Sequence, residues 1–113
     1  MDYDIGGVKF NIDTDKELQD YVKNILDKQK LHTELSAQDS LFMKDLFSHF
    51  SRKKKAAREE IKKILVSRRM DDDGNYYREA CFKVLFVSGG RAAFFSSKEC
   101  VDNFNASGQL HVV

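Results

Sequence analysis

The stretch Cys81–Phe95 reads CFKVLFVSGGRAAFF and is the most apolar in the chain. Aromatic and β-branched residues run from Cys81 to Val87, Gly89-Gly90 can supply the positive φ angles of a two-residue primed turn, and Arg91 to Ser96 returns. The pattern predicts a β-hairpin in which Ser88 faces Arg91, Phe86 faces Ala93, Val84 faces Phe95 and Phe82 faces Ser97. Paired residues share a face. One face is therefore Phe82, Val84, Phe86, Ala93 and Phe95. The other, with Lys83, Leu85, Val87, Ala92, Phe94 and Ser96, includes a charge and is expected to be open to solvent or a partner.

Working outward, Gly7 to Ile12 alternates Val8, Phe10 and Ile12 with Lys9 and Asn11, the period of a half-buried strand. Thr14-Asp15-Lys16-Glu17 has capping-box spacing and precedes Leu18, Tyr21, Val22, Ile25 and Leu26, the stripe of an amphipathic helix. Ser36-Ala37-Gln38-Asp39 opens a second helix carrying Phe42, Met43, Leu46, Phe47 and Phe50. Lys53 to Glu60 is read as a short helical turn and Lys62 to Arg69 as a strand, since Asp71-Asp72-Asp73-Gly74-Asn75 is a turn signal before the hairpin. Ser96-Ser97-Lys98-Glu99 caps a short final helix with Cys100, Val101 and Phe104. These elements give an α+β domain: an antiparallel sheet of strands near 7–12, 62–69, 81–87 and 91–96, covered on one face by two helices.

The 113 residues suffice for one domain with its own core. A hydrophobic content of 42% argues against disorder, and no apolar run is long enough for a membrane span. The opening MDYDIGGVKF carries neither an export nor a transit pattern, so a cytoplasmic location is expected. Cys81 and Cys100 read as buried, reduced thiols.

Charge is the feature that stands out. Residues 52–69 hold nine Lys or Arg against Glu59 and Glu60, a local excess of seven positive charges in a chain whose net charge is +1. Lys53, Lys54, Lys55, Arg58, Lys62, Lys63, Arg68 and Arg69 are the candidate nucleic-acid-binding residues, able to neutralise phosphates without reading sequence. Tyr76, Tyr77 and Phe94 are candidate stacking platforms. The alternative for so charged a band is a solvated surface.

Other chemistries find less support. Aligning Gly74 to the sixth position of a calcium loop puts Arg69 at position one and Ala80 at position twelve, where carboxylates are required. His32, His49 and His111 have no metal-ligand spacing, so neither a structural metal nor a cofactor is expected. No nucleophile elbow, Walker loop or dinucleotide fingerprint is present. Cys81 with His49 is the one pairing that could form a nucleophile and base in space.

Leu35-x-x-x-Asp39-x-x-Phe42, Asp45-Leu46-Phe47-x-His49, Ile61-x-x-Ile64-x-Val66, Cys81-Phe82-x-Val84 and Phe95-Ser96-x-Lys98-x-Cys100-Val101 together resemble the DCL (defective chloroplasts and leaves) domain. The resemblance implies a small α+β domain linked to RNA metabolism, including plastid ribosomal RNA processing, with no catalytic residues to carry over. Lacking a transit pattern, the chain looks more like a stand-alone bacterial or phage member. The expectation is a noncatalytic nucleic-acid-associated module, with RNA ahead of DNA, using the 52–69 band. The alternative is a protein-binding adaptor or inhibitor that uses the exposed sheet face or meets an acidic partner surface.

Overall fold

The computed structural model describes residues 2–11, 15–50 and 54–106. In chain order these form β1 (Asp2–Ile5), β2 (Val8–Asn11), α1 (Asp15–Lys28), α2 (Ala37–Ser48), α3 (Lys55–Arg58), β3 (Ile61–Met70), β4 (Tyr76–Phe86), β5 (Ala93–Phe95) and α4 (Ser97–Ala106). The class is α+β, and the helices and strands form around one apolar core.

Two antiparallel sheets are present among the described residues, one of β1–β2 and one in the order β3-β4-β5. The strand expected near 7–12 therefore pairs with the segment before it rather than with the main sheet. Its partner was missed although Asp2-Tyr3-Asp4-Ile5 alternates, because the segment is only four residues long and aspartate is a poor strand former. Gly6 at φ 57° and Gly7 at φ 87° form the turn, the left-handed conformation that glycine adopts without strain. The hairpin buries Ile5 and Phe10 against α1 and α2, where Phe10 meets Tyr21 edge-on with ring centroids 5.5 Å apart.

The longest ladder joins β3 to β4 around Asp71–Asn75, so the organising hairpin begins one strand earlier than the apolar run suggests. In the turn, Asp71 Oδ1 accepts from the amides of Asp73 at 3.0 Å and Asn75 at 2.9 Å. β4 extends back to Tyr76 through polar residues, whose neighbours in the ladder rather than their apolarity hold them extended.

The Gly89-Gly90 connection is longer than a two-residue turn. Phe82 pairs with Phe95, Lys83 with Phe94 and Val84 with Ala93, a shift of two residues from the expected register. An even shift leaves every side chain on its expected face. Phe82, Val84, Phe86 and Phe95 are buried, and Phe95 stacks on Phe47 and Phe50 with centroids 5.2 and 5.3 Å away. The ladder stops early because the connection is held from outside: the Val87 amide donates to the Glu60 carbonyl at 3.0 Å, and Lys55 Nζ donates to the Gly89 carbonyl at 3.0 Å.

α1, α2 and α4 contribute Leu18, Val22, Phe42, Phe47, Cys100 and Phe104 to the core under this sheet. α4 opens with the reciprocal capping box read from the sequence: Glu99 N–H donates to Ser96 Oγ, and Ser96 N–H to Glu99 Oε1, each at 3.1 Å. The box at Thr14–Glu17 lies partly outside the described residues. On the far side of β3, the segment 32–35 runs alongside, with the His32 amide on the Val66 carbonyl and the Leu35 amide on the Ile64 carbonyl. That edge is thereby closed to another strand.

Candidate nucleic-acid interface

The face of β3-β4-β5 opposite the helices carries Lys63 beside Leu85, and Leu65, Lys83 and Phe94 in one row across the three strands. All five are half-buried. Lys83 Nζ stands 5.9 Å from the centroid of the Phe94 ring, a long cation–π contact that holds the ammonium over the sheet. Towards the hairpin tip the face deepens into a groove lined by His32, Arg68, Arg69, Tyr76, Tyr77, Lys83 and Phe94, with Ser67 and Met70 between them. Among the described residues no carboxylate belongs to this lining. Tyr76 and Tyr77 keep 57% and 53% of their surface exposed, so their ring faces are available for stacking.

Local structure explains how each group arrives there. The register irregularity between Arg68 and Met70 puts its extra residues on β4, and Arg69 keeps the alternation of Lys63, Leu65 and Ser67 on the open face. Arg69 reaches past β4, donating to the Phe94 carbonyl and pairing with Glu99 Oε1 at 2.5 Å. His32 has φ 66°, an uncommon conformation for a residue with a β-carbon; its backbone N–H donates to the Val66 carbonyl, and the residue lines the groove.

The cationic band is thus distributed rather than assembled. Lys63 belongs to the open face and Arg69 to its groove, whereas Arg68, paired with Ala80 in the parity of Ile64 and Val66, lines both the groove and the cleft against α1. Lys54, Arg58 and Lys62 are exposed near α3, and Lys55 is occupied by Gly89, by Glu59 at 3.9 Å and by the Phe86 ring at 4.6 Å. Lys53 lies outside the described residues. Sequence reading missed His32 and Lys83: His32 is brought in by a long-range pairing with no local signal, whereas the alternation of β4 placed Lys83 on this face without marking it as functional.

Cys81 lines an adjoining cleft with Arg69 and Glu99. Burial pushes its thiol upward, against the opposing influence of Arg69, and pushes Cys100 up further. Both thiols are therefore held in the protonated form at neutral pH. His49 is buried against Phe104, edge-on at 5.4 Å, with Asp45 Oδ1 3.7 Å from its Nε2. Among the described residues no group of three His, Cys, Asp or Glu could hold a metal, and no helix is long and apolar enough to cross a membrane.

Fold and face together define a small α+β domain with one sheet face packed on helices and the other open, basic and aromatic. The chain belongs to the family described as "Protein of unknown function (DUF3223)", whose model matches residues 23–101. This corrects the resemblance drawn from the motifs, since the matching family is an uncharacterized one and nothing among the comparisons indicates a DCL-like domain. The physical reason is visible in the most specific of those motifs: Phe95, Cys100 and Val101 are core positions, and Ser96 with Glu99 is a helix cap. Such residues mark a strand-to-helix junction, not a function. No curated protein matches the chain. The solution NMR structure of an uncharacterized protein from Rhodospirillum rubrum is similar, with a TM-score of 0.64 and 21% identity over 86% of this chain and 85% of that one. At that identity the likeness concerns the fold alone.

Proposed function

We propose that this protein is a noncatalytic nucleic-acid-binding accessory module acting in the cytoplasm, with its contact surface in the groove between His32, Arg68, Tyr77, Lys83 and Phe94. One observation carries the reading: the groove combines cations with exposed aromatic rings and, among the described residues, has no carboxylate in its lining. Cations supply affinity for phosphates, and aromatic faces accept any base. The segment 52–69 contributes through Arg68 and Lys63, with Lys54, Arg58 and Lys62 as a more distant source of attractive field, while Arg69 is already paired with Glu99.

Fluorescence anisotropy with labelled RNA and DNA at several salt concentrations tests this. Lys83→Gln should flatten the log–log salt slope by about 0.7 on a single strand, and Tyr77→Ala should cost about 1–3 kcal/mol of binding. An unchanged slope and affinity in both variants would remove the groove from consideration. A protein partner is the second reading, favoured by the exposure of Met70 at 53% and Val87 at 57% beside the half-buried Leu65, Leu85 and Phe94. In that case Phe94→Ala would weaken binding and salt would matter little.

A further inference from the structure

A second basic concavity lies against the helices. A cleft of about 580 Å³ is bounded by α1, the β3–β4 hairpin and the start of α4, and four cations from these four elements line it: Lys23, Arg68, Arg78 and Lys98. All four are exposed, and none makes an ion pair or side-chain hydrogen bond among the described residues. Asp27 and Glu79 also border the cleft, yet neither pairs with any of them. Lys23 precedes Asp27 on α1, which is the poorer order for an ion pair across one helical turn. Four cations against two carboxylates leave the lining an excess of two positive charges, in a chain whose net charge is +1. A cleft with such an excess concentrates anions.

Two further features say which anion. Arg68 lines this cleft and the aromatic groove alike, so the two concavities meet at its side chain. The groove has Tyr76, Tyr77 and Phe94, whereas no aromatic ring belongs to the cleft's lining among the described residues. The cleft can therefore take phosphates but offers bases no platform. We infer that it is the second part of one nucleic-acid footprint: the strand whose bases stack in the groove passes Arg68 and lays its next backbone phosphates on Arg78, Lys23 and Lys98. This rests on the nucleic-acid reading above and extends its contact surface to α1 and α4.

The test measures salt slopes by fluorescence anisotropy on labelled single-stranded oligouridylates of about 6 and about 16 nucleotides, within the usual range of single-strand footprints. The wild type should show the steeper slope on the longer strand, which alone spans both concavities. The K23Q/R78Q/K98Q variant loses three contacts at about 0.7 each, so its long-strand slope should flatten by about 2 and the difference between the strands should vanish. The three side chains are exposed and unbonded, so the variant should keep its wild-type circular dichroism; if it does not fold, the single variants carry the same test at about 0.7 each. A long-strand slope that the cleft variant leaves unchanged, while Lys83→Gln flattens it, would overturn this inference and leave the groove reading standing. A slope flattened by the cleft variant but untouched by Lys83→Gln, with Tyr77→Ala silent as well, would remove the groove and the continuity inferred from it. Binding of neither strand would bring down both.

Discussion

Replacing Gly6 by alanine tests how the amino-terminal hairpin is fastened to the domain. A β-carbon at this position would stand 2.8 Å from Phe42 Cα and 3.4 Å from both Phe42 N and Cβ, so α2 or the hairpin must move. The residue also sits at φ 57°, where a side chain costs about 1–2 kcal/mol. Its amide donates to Asp45 Oδ2 at 2.6 Å, a bond that any displacement of the turn would lengthen. Crowding backbone in a packed region typically adds about 1–3 kcal/mol. Gly6→Ala should therefore cost about 2–5 kcal/mol in total. Gly7 provides the control: it has φ 87° but open space around its missing β-carbon, so Gly7→Ala should cost only the conformational term of about 1–2 kcal/mol. Urea unfolding at constant m-value gives both numbers. Near 4 °C per kcal/mol for a domain of this size, melting should fall by about 8–20 °C for Gly6→Ala and about 4–8 °C for Gly7→Ala. Equal losses from the two substitutions would mean that the hairpin does not rest on Phe42, and the argument would fail.

Phe95→Ala should cost about 3–5 kcal/mol by chemical denaturation, since it removes the ring that stacks on Phe47 and Phe50; a loss below about 1 kcal/mol would contradict that packing. Lys55→Gln should lower stability by about 1 kcal/mol through the Gly89 carbonyl, whereas Lys54→Gln should leave the urea midpoint unchanged, which separates a fastening lysine from an exposed one. Both thiols have their pKa raised in the fold, so their contribution is complete below the unfolded value of about 8.5 and is lost as pH rises through the folded values. The urea midpoint should fall between about pH 8 and pH 10, and Cys100→Ala should fall less steeply; alkylation of the native protein at neutral pH should be slow. His32→Gly should leave stability level or slightly raised, because glycine relieves the strain at φ 66°, yet weaken nucleic-acid binding if the imidazole serves the groove.

What the sequence made legible followed from local physics. Side-chain alternation in Phe82, Val84 and Phe86 placed the core face correctly even though the register was two residues out, because face depends on parity and register on the connection. The capping box at Ser96 and Glu99 located the start of α4 from four residues alone. The split of the basic block into a helical turn and a strand also held, with α3 ending at Arg58 and β3 starting at Ile61. What local physics could not supply was anything set by distant partners. Lys55 looked like its neighbours in the band, and only the arrival of Gly89 and Phe86 makes it a fastening residue. The candidate site suffered most from this. A run of cations along the chain becomes a surface only where the fold gathers them, and a strand sends neighbours to opposite faces. Thus Lys63 joins the open face and its immediate neighbour Ile64 enters the core. The groove instead draws Arg68 and Arg69 from the end of β3, Tyr77 and Lys83 from β4, Phe94 from β5 and His32 from the segment that closes the sheet edge. Arg68, Arg69, Tyr77 and Lys83 lie on the β3–β4 hairpin, whose ladder extends to Met70 and Tyr76, and Phe94 and His32 flank it. An extension of that kind adds little to the core, since Tyr76 and Tyr77 are each more than half exposed. Apolar burial therefore does not account for the aromatic rings there; the stacking ligand of the proposed function would.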